Sequence, residues 1–428
     1  MTTNVPRLQN AGRRSMHGYK PIDSICRRFV HQKLQQLKGS LLITDAWGET
    51  VTGDQTGRRY ELRIKDPVFY RRLLISGSLG AAEGWMDDQW STDDLTGLIQ
   101  LFVRNIGLSD TLDQGLSSLG GFVSFLGHRN NANTHGGSRR NIKAHYDLGN
   151  DLFSLFLDRT MTYSSAIFET GEDALESASS NKLDRICRKL NLGKGDHLLE
   201  IGCGWGSLAI HAARHYGAQV TAVTISRSQL EFANSRAARL GLSKQIDFQL
   251  RDYRNIKGRY QKIASIEMIE AVGHQYLPTF FSQCGKLLSD DGCLVIQAIT
   301  MPCQRYKQYL NHCDFIQKYI FPGSCVPSLS VVLSQVQQQS DMKLVHMEDI
   351  GAHYARTLRI WHERFSEAER EVRALGYPER FIRLWHYYLS YCEAGFSERY
   401  LSDLQLAFVN PGWRGSIKVD RVPELSGA

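Results

Sequence analysis

Several features are missing from this sequence of 428 residues. No run of 18 apolar residues occurs, so no helix is expected to span a bilayer. The first residues hold no apolar segment of the kind that directs export, so the chain reads as cytoplasmic. Its nine cysteines form no C-x-x-C pair and no metal-ligand spacing. That argues for reduced thiols and against a disulfide scaffold or a structural zinc site. H-E-x-x-H, the phosphate-binding loop G-x-x-x-x-G-K-[ST] and the G-x-S-x-G elbow are all absent, and with them three common hydrolytic and nucleotide chemistries. There is no obvious RNA-binding module and no Asn/Asp-Pro-Pro-Tyr motif, so nucleic acid is not the expected partner.

What is present is enough for a sizeable ordered core. Hydrophobic residues make up 42% and charged residues 22%, outside the composition of disordered chains. Lys plus Arg is 51 against 44 for Asp plus Glu, a net charge of +7. The excess is uneven. Arg7, Arg13, Arg14, Lys20, Arg27, Arg28, Lys33 and Lys38 face a single acid, Asp23, in residues 1–38, and HRNNANTHGGSRRNIKAH (128–145) has no acid at all. Such segments suit either solvent or an anionic surface.

The pattern divides the chain into a small α+β domain at 1–125, a linker at 126–144 and a larger unit at 145–428. In the first, LLIT (41–44) and RRYELRI (58–64) alternate as short strands around a turn, and STDDLTGLIQLFVRNI (91–106) reads as a capped helix. In the last, strands HLLEI (197–201), QVTAVTI (219–225), IDFQL (246–250), KIASIEMI (262–269) and CLVIQAI (293–299) alternate with helices, the SDDG before the fifth strand reading as a turn. KLVHMEDI (343–350) and LQLAFV (404–409) supply two more candidate strands. This rhythm predicts an α/β Rossmann-like parallel sheet with helices on both faces.

The first of those strands runs into Gly202-x-Gly204-x-Gly206, preceded by Glu200. A dinucleotide fingerprint is G-x-G-x-x-G and holds a pyrophosphate; the spacing here differs, and an acid before the turn repels phosphate and suits a cation. S-adenosylmethionine carries an ammonium and a sulfonium and no phosphate, so the turn favours that cofactor over a dinucleotide. Thr224 and Gln229 follow the second strand, where a neutral set can bond hydroxyls. After the third strand, Asp252 is placed to accept from an adenine amine or to cap a helix, with Tyr253 near the ring. Glu270 lies just past the fourth strand, where a carboxylate either stabilises positive charge or caps a helix.

With these blocks stand GSLGAAEGWMDDQW, HYDLGNDLFSLFLD (145–158), MTYSSAIF (161–168), EMIEAVGH (267–274), FIQKYIFPGSCVPS (315–328) and AHYARTLRIWHERF (352–365). Together they resemble the cyclopropane-fatty-acyl-phospholipid synthases and the related mycolic acid methyltransferases across most of residues 70–410. The resemblance implies a class I S-adenosylmethionine-dependent methyltransferase sheet acting on unsaturated acyl chains of phospholipids. It implies cofactor contacts from Tyr163, Ser164, Gly202, Gly204, Thr224, Gln229, Asp252 and Tyr253. It implies attack of the alkene on the sulfonium methyl, then loss of a proton to bicarbonate and ring closure, with Glu270 and Tyr354 in the reacting site and His145 and Tyr146 covering the cofactor.

Two positions depart from that family's pattern. Ser165 stands where a cysteine is usual, a change that a backbone contact survives. Gln297 replaces a bicarbonate-contacting histidine, and an amide donates a hydrogen bond but cannot relay a proton. The anion site is therefore in doubt, and a methyl- or methylene-branched product competes with the ring. Cys392, in an aromatic-rich helix, reads as a buried thiol, and the aromatic insert 300–323 as core or as the wall of an acyl tunnel. The basic segments predict docking on an anionic inner membrane face, and the first domain a role in lipid access or homodimer formation.

Overall fold

The computed structural model describes residues 20–113, 149–171, 173–417, 419–423 and 425. Arg7, Arg13, Arg14, the whole 128–145 stretch with the expected linker, His145 and Tyr146 lie outside the described residues.

The N-terminal part begins with helix α1 (Pro21–Leu34), whose buried Asp23 accepts from the Lys20 N–H at 3.1 Å and pairs with Arg71 at 2.5 Å. Strands β1 (Ser40–Asp45), β2 (Gly48–Thr52), β3 (Arg59–Ile64) and β4 (Trp90–Ser91) form a sheet in the order β2-β1-β3-β4. The alternation seen in the sequence is the burial pattern of β3, where Tyr60, Leu62 and Ile64 point inward. The glycine-rich run from Ser76 belongs to helix α2 (Val68–Met86), which kinks at Gly77, where φ is +53°. Helix α3 (Leu95–Arg104) starts later than its polar lead-in suggests, because Asp94 caps it, accepting from the Gly97 N–H at 2.8 Å. Helix α4 (Ile106–Asp113) follows.

The larger part has a seven-stranded sheet, ordered β10-β11-β9-β8-β5-β6-β7, built from β5 (His197–Ile201), β6 (Gln219–Thr224), β7 (Ile246–Leu250), β8 (Tyr260–Ile266), β9 (Leu288–Thr300), β10 (Lys343–Asp349) and β11 (Ser402–Val409). Strands β5 to β9 are parallel to one another, and β11 runs antiparallel between β9 and β10. Helices α5 (Leu175–Lys189), α6 (Ser207–Tyr216), α7 (Arg227–Arg239), α8 (Leu277–Leu287), α9 (Leu329–Gln339), α10 (Gly351–Glu367) and α11 (Glu379–Ser397) complete the fold. Two details differ from the sequence reading. The SDDG segment is not a turn outside the strand: β9 passes through it, and the register with β8 jumps from Tyr260↔Leu288 to Lys262↔Cys293, so the extra residues form a bulge. Strand β8 ends at Ile266, which leaves Glu267 and Met268 outside the ladder.

The two parts share one apolar cluster that runs from Val30, Leu41 and Phe69 to Phe156, Trp361 and Trp385. Arg383 on α11 joins them. Its Nε donates to the Trp85 carbonyl at 2.5 Å, its guanidinium lies 4.3 Å from the Trp85 ring centre, and Trp85 Nε1 donates to the Arg383 carbonyl at 2.9 Å. No helix among the described residues is long and apolar enough to cross a membrane.

Candidate active site

Strand order reverses at β5, which has β6 on one side and β8 on the other. In open parallel sheets the crevice past the carboxyl ends of such strands is where ligands bind. Here it is the polar end of a cavity of about 760 Å³.

The glycine turn sits at that point. Gly202 has φ +86°, and a Cβ there would meet Met268 Cγ at 2.5 Å, so the turn has no space for a side chain. Gly202 and Gly204 both line the cavity, as do Tyr163, Ser164, Thr224, Gln229, Asp252 and Tyr253. The structure thus brings together all eight positions expected to hold the cofactor. Several already have partners. Tyr163 Oη lies 2.8 Å from Tyr388 Oη, Ser164 Oγ accepts from Lys182 Nζ at 2.6 Å, and Thr224 Oγ1 donates to Gln229 Oε1 at 3.0 Å. Asp252 caps the short helical turn Tyr253–Asn255 and holds Arg254 with both carboxylate oxygens, at 2.9 and 2.6 Å. Tyr253 packs edge-on against Phe280.

Glu200 and Glu270 are buried on the cavity wall, and each keeps one carboxylate oxygen, Oε2, without a hydrogen-bond partner. Burial raises both to about 8, the neighbouring Glu267 adding to the rise at Glu270. Glu270 Oε1 accepts from the Ile299 N–H at 2.5 Å. Unpartnered carboxylates around a glycine turn fit a cationic ligand without phosphate, and they do not fit a pyrophosphate.

The third acid of this wall, Glu267, was quoted within a sequence block but not singled out. It takes a left-handed backbone, φ +46°, which costs a non-glycine residue on the order of 1–3 kcal/mol. Its carboxylate is the meeting point of the remaining expected site residues. The Ser165 N–H donates to Oε1 at 2.9 Å, Gln297 Nε2 donates to Oε1 at 2.6 Å, and the Tyr354 hydroxyl donates to Oε2 at 2.8 Å. Gln297 is fully buried within β9 and does not line the cavity; it also donates to Asp403 Oδ2 at 2.9 Å and accepts from Gln405 Nε2 at 2.9 Å. Lys182, Asp403 and Tyr388 likewise escaped the sequence reading. Lys182 is buried, with Glu267, Asp403, Asp158 and Glu200 as its charged neighbours. The only linear signal was the pair of acids in EMIE, just past a buried strand.

The apolar end of the cavity is lined by Leu34, Ile43, Phe69 and Leu98 of the N-terminal part, and by Tyr309, Ile316 and Phe321 of the aromatic insert. Cys392 also faces it, its thiol pushed far up by burial.

Comparison with known proteins agrees with this geometry. The family profile of mycolic acid cyclopropane synthetase matches residues 134–406. The chain is 35% identical over 397 residues to a tuberculostearic acid methyltransferase of Mycobacterium tuberculosis, covering 91% of this chain and 92% of that protein. It is 37% identical over 368 residues to the cyclopropane-fatty-acyl-phospholipid synthase of Escherichia coli, covering 84% and 90%. A mycolic acid cyclopropane synthase solved with SAH and CTAB superposes with a TM-score of 0.60 at 29% identity, over 64% of this chain and 98% of that one.

Proposed function

The chain belongs to the mycolic acid cyclopropane synthetase family, S-adenosylmethionine-dependent enzymes that methylate lipid acyl chains, and from that premise we propose that it converts the double bond of unsaturated phospholipid acyl chains into a cyclopropane. The observation that carries this reading is one continuous cavity, greasy at one end and lined by Gly202, Glu200, Glu267 and Glu270 at the other. Its volume of about 760 Å³ is in the range of sites that enclose extended apolar ligands. Bound S-adenosylmethionine supplies an electrophilic methyl group, which the alkene attacks to leave a carbocation on the chain. The residues of the wall then hold the alkene in a dry pocket and place carboxylates beside the developing charge.

A second reading, transfer of the methyl group with loss of a different proton and no ring closure, is favoured by two features. Gln297 stands where the family's pattern has a histidine, and the chain is similar to a tuberculostearic acid methyltransferase.

Access to the lipid is proposed through α1. Ile22, Ile25 and Phe29 are exposed along one stripe, at 49%, 67% and 46%, with Arg28 and Lys33 beside them, while Val30 and Leu34 on the inner side line the cavity. An apolar stripe with flanking cations suits an anionic bilayer surface, with homodimer formation through this part of the chain as the competing use. Incubation with methyl-labelled cofactor and unsaturated phospholipid vesicles, followed by mass spectrometry of the acyl chains, tests the reading. A ring product supports it, a branched alkene supports the second reading, and unlabelled lipid from a protein that binds the cofactor refutes both.

A further inference from the structure

We propose that Glu267 is the base of the reaction, its carboxylate standing permanently where a soluble anion would otherwise have to bind. The inference rests on the acyl-methylation reading above and names the group that completes it.

The geometry is that of a built anion site whose occupant is a side chain. Three donors from three distant segments, the Ser165 N–H, the Tyr354 hydroxyl and the Gln297 amide, converge on the two oxygens of one carboxylate at 2.6–2.9 Å. These donors leave little room for a second anion, and Glu267 itself lines the cavity beside Gly202. The left-handed backbone of Glu267 is the conformation that glycine adopts freely, so the side chain is held there against a local cost.

The neighbouring acids are less suited to the role. Glu270 has only backbone donors, its own N–H and that of Ile299, and no charge partner of opposite sign, which favours its neutral form in a dry wall. Asp403 does not line the cavity. Burial pushes both carboxyls up, Asp403 well above its usual range and further by the Glu267 charge, while Lys182 and the donors from Ser165 and Tyr354 pull Glu267 part of the way back. Two carboxyls this close share one proton, and it rests on Asp403.

The step balances within the site. The alkene π pair bonds to the methyl carbon, the C–S bond breaks, and the sulfur leaves as a neutral thioether. Glu267 then takes one proton. If it comes from the new methyl group, the C–H pair forms the third ring bond; if from a neighbouring carbon, it forms a double bond. Glu267 returns its proton to water after the product leaves.

The test uses the full chain with unsaturated phospholipid vesicles, in buffer freed of carbon dioxide and in the same buffer with bicarbonate. Wild-type turnover is expected to be the same in both. Glu267→Gln is expected to fall about 10²–10⁴-fold with affinity for S-adenosylhomocysteine retained. Glu267→Gly relieves the backbone and vacates the three donors; it is expected to bind ¹³C-bicarbonate by NMR, where wild type does not, and to regain part of its turnover with bicarbonate. Wild-type turnover that requires bicarbonate, or a Glu267→Gln variant with full turnover, overturns the inference while leaving acyl methylation standing. Wild-type protein that binds the cofactor and methylates no lipid in either buffer overturns both.

Discussion

Lys189 Nζ lies 2.5 Å from Gln405 Oε1, and this contact decides which way two buried amides point. An ammonium only donates, so the Gln405 oxygen must face it and the Gln405 amide nitrogen must face away. That nitrogen donates to Gln297 Oε1 at 2.9 Å, which turns the Gln297 nitrogen toward Glu267. Lys189 is itself paired with Glu348. Gln405→Met should therefore leave the Gln297 oxygen unpaired and cost about 1–3 kcal/mol of stability. Turnover should fall while the dissociation constant of S-adenosylhomocysteine stays constant. Urea denaturation and steady-state kinetics measure both, and a variant as stable as wild type would remove the amide chain from the account.

Cofactor binding should release protons. Glu200 and Glu270 sit at about 8, so at pH 7 both are largely neutral. A cation brought against them lowers their pKa and expels protons. S-adenosylhomocysteine has the same ammonium and no sulfonium, so it should release fewer. Calorimetry in two buffers of different ionisation heat counts the protons directly. The preference for S-adenosylmethionine over S-adenosylhomocysteine should also grow as pH rises from 6.5 to 8.5 on the order of severalfold. Equal proton counts for the two ligands would mean that neither carboxyl senses the sulfonium.

The same shifts set a stability profile. Both carboxyls have folded values raised from 4.5 to about 8. Between those limits the unfolded chain loses the proton and the folded chain keeps it. Their contribution is therefore fully present below pH 4.5 and is lost as pH rises toward 8. Glu270→Gln should flatten the fall in thermal midpoint between pH 5 and 8 in ligand-free protein. An unaltered slope would place the acid stability elsewhere.

The parts of this site that were legible in the sequence are those set by local chemistry. The glycine turn, the strand and helix alternation and the acid before the turn each depend on residues a few positions apart, and all sit where the sequence put them. Glu267 was not legible as a site residue. Its partners Ser165, Tyr354 and Gln297 are 102, 87 and 30 residues away, and no periodicity brings them together. The sequence pointed to Gln297 as a weakness at an anion site; the fold makes it one of the ligands of a carboxylate already in place. The SDDG segment misled for a related reason: polar residues on an exposed bulge look like a turn, and only pairing with β8 shows the strand continuing.

The join between the two parts should matter more for lipid than for cofactor. Arg383 stacks on the Trp85 ring and donates to the Trp85 and Trp90 carbonyls. A lysine cannot reproduce the planar fork or the stacking. Arg383→Lys should loosen the N-terminal part, raise the KM for vesicles and speed proteolysis near Trp85, with cofactor affinity held by residues on the far side of the cavity. An equal loss of lipid and cofactor binding would show that the join supports the whole fold.

The exposed stripe on α1 gives the most direct test of how the enzyme meets its substrate. Ile22, Ile25 and Phe29 lie on the side opposite the buried Val30 and Leu34, so charges placed there disturb no core contact. Burying one such side chain in a bilayer interface is worth up to about 1.5–3 kcal/mol, so Ile25→Glu with Phe29→Glu, which removes two, should weaken binding to anionic vesicles by up to roughly 10²- to 10⁴-fold. Turnover on vesicles should drop in parallel, while turnover on a detergent-dispersed unsaturated phospholipid should be kept, because the cavity itself is untouched. Salt should weaken wild-type binding through Arg28 and Lys33. If the double variant binds vesicles normally and instead changes the protein's mass in solution, the stripe joins two copies of the chain and the lipid enters by another route.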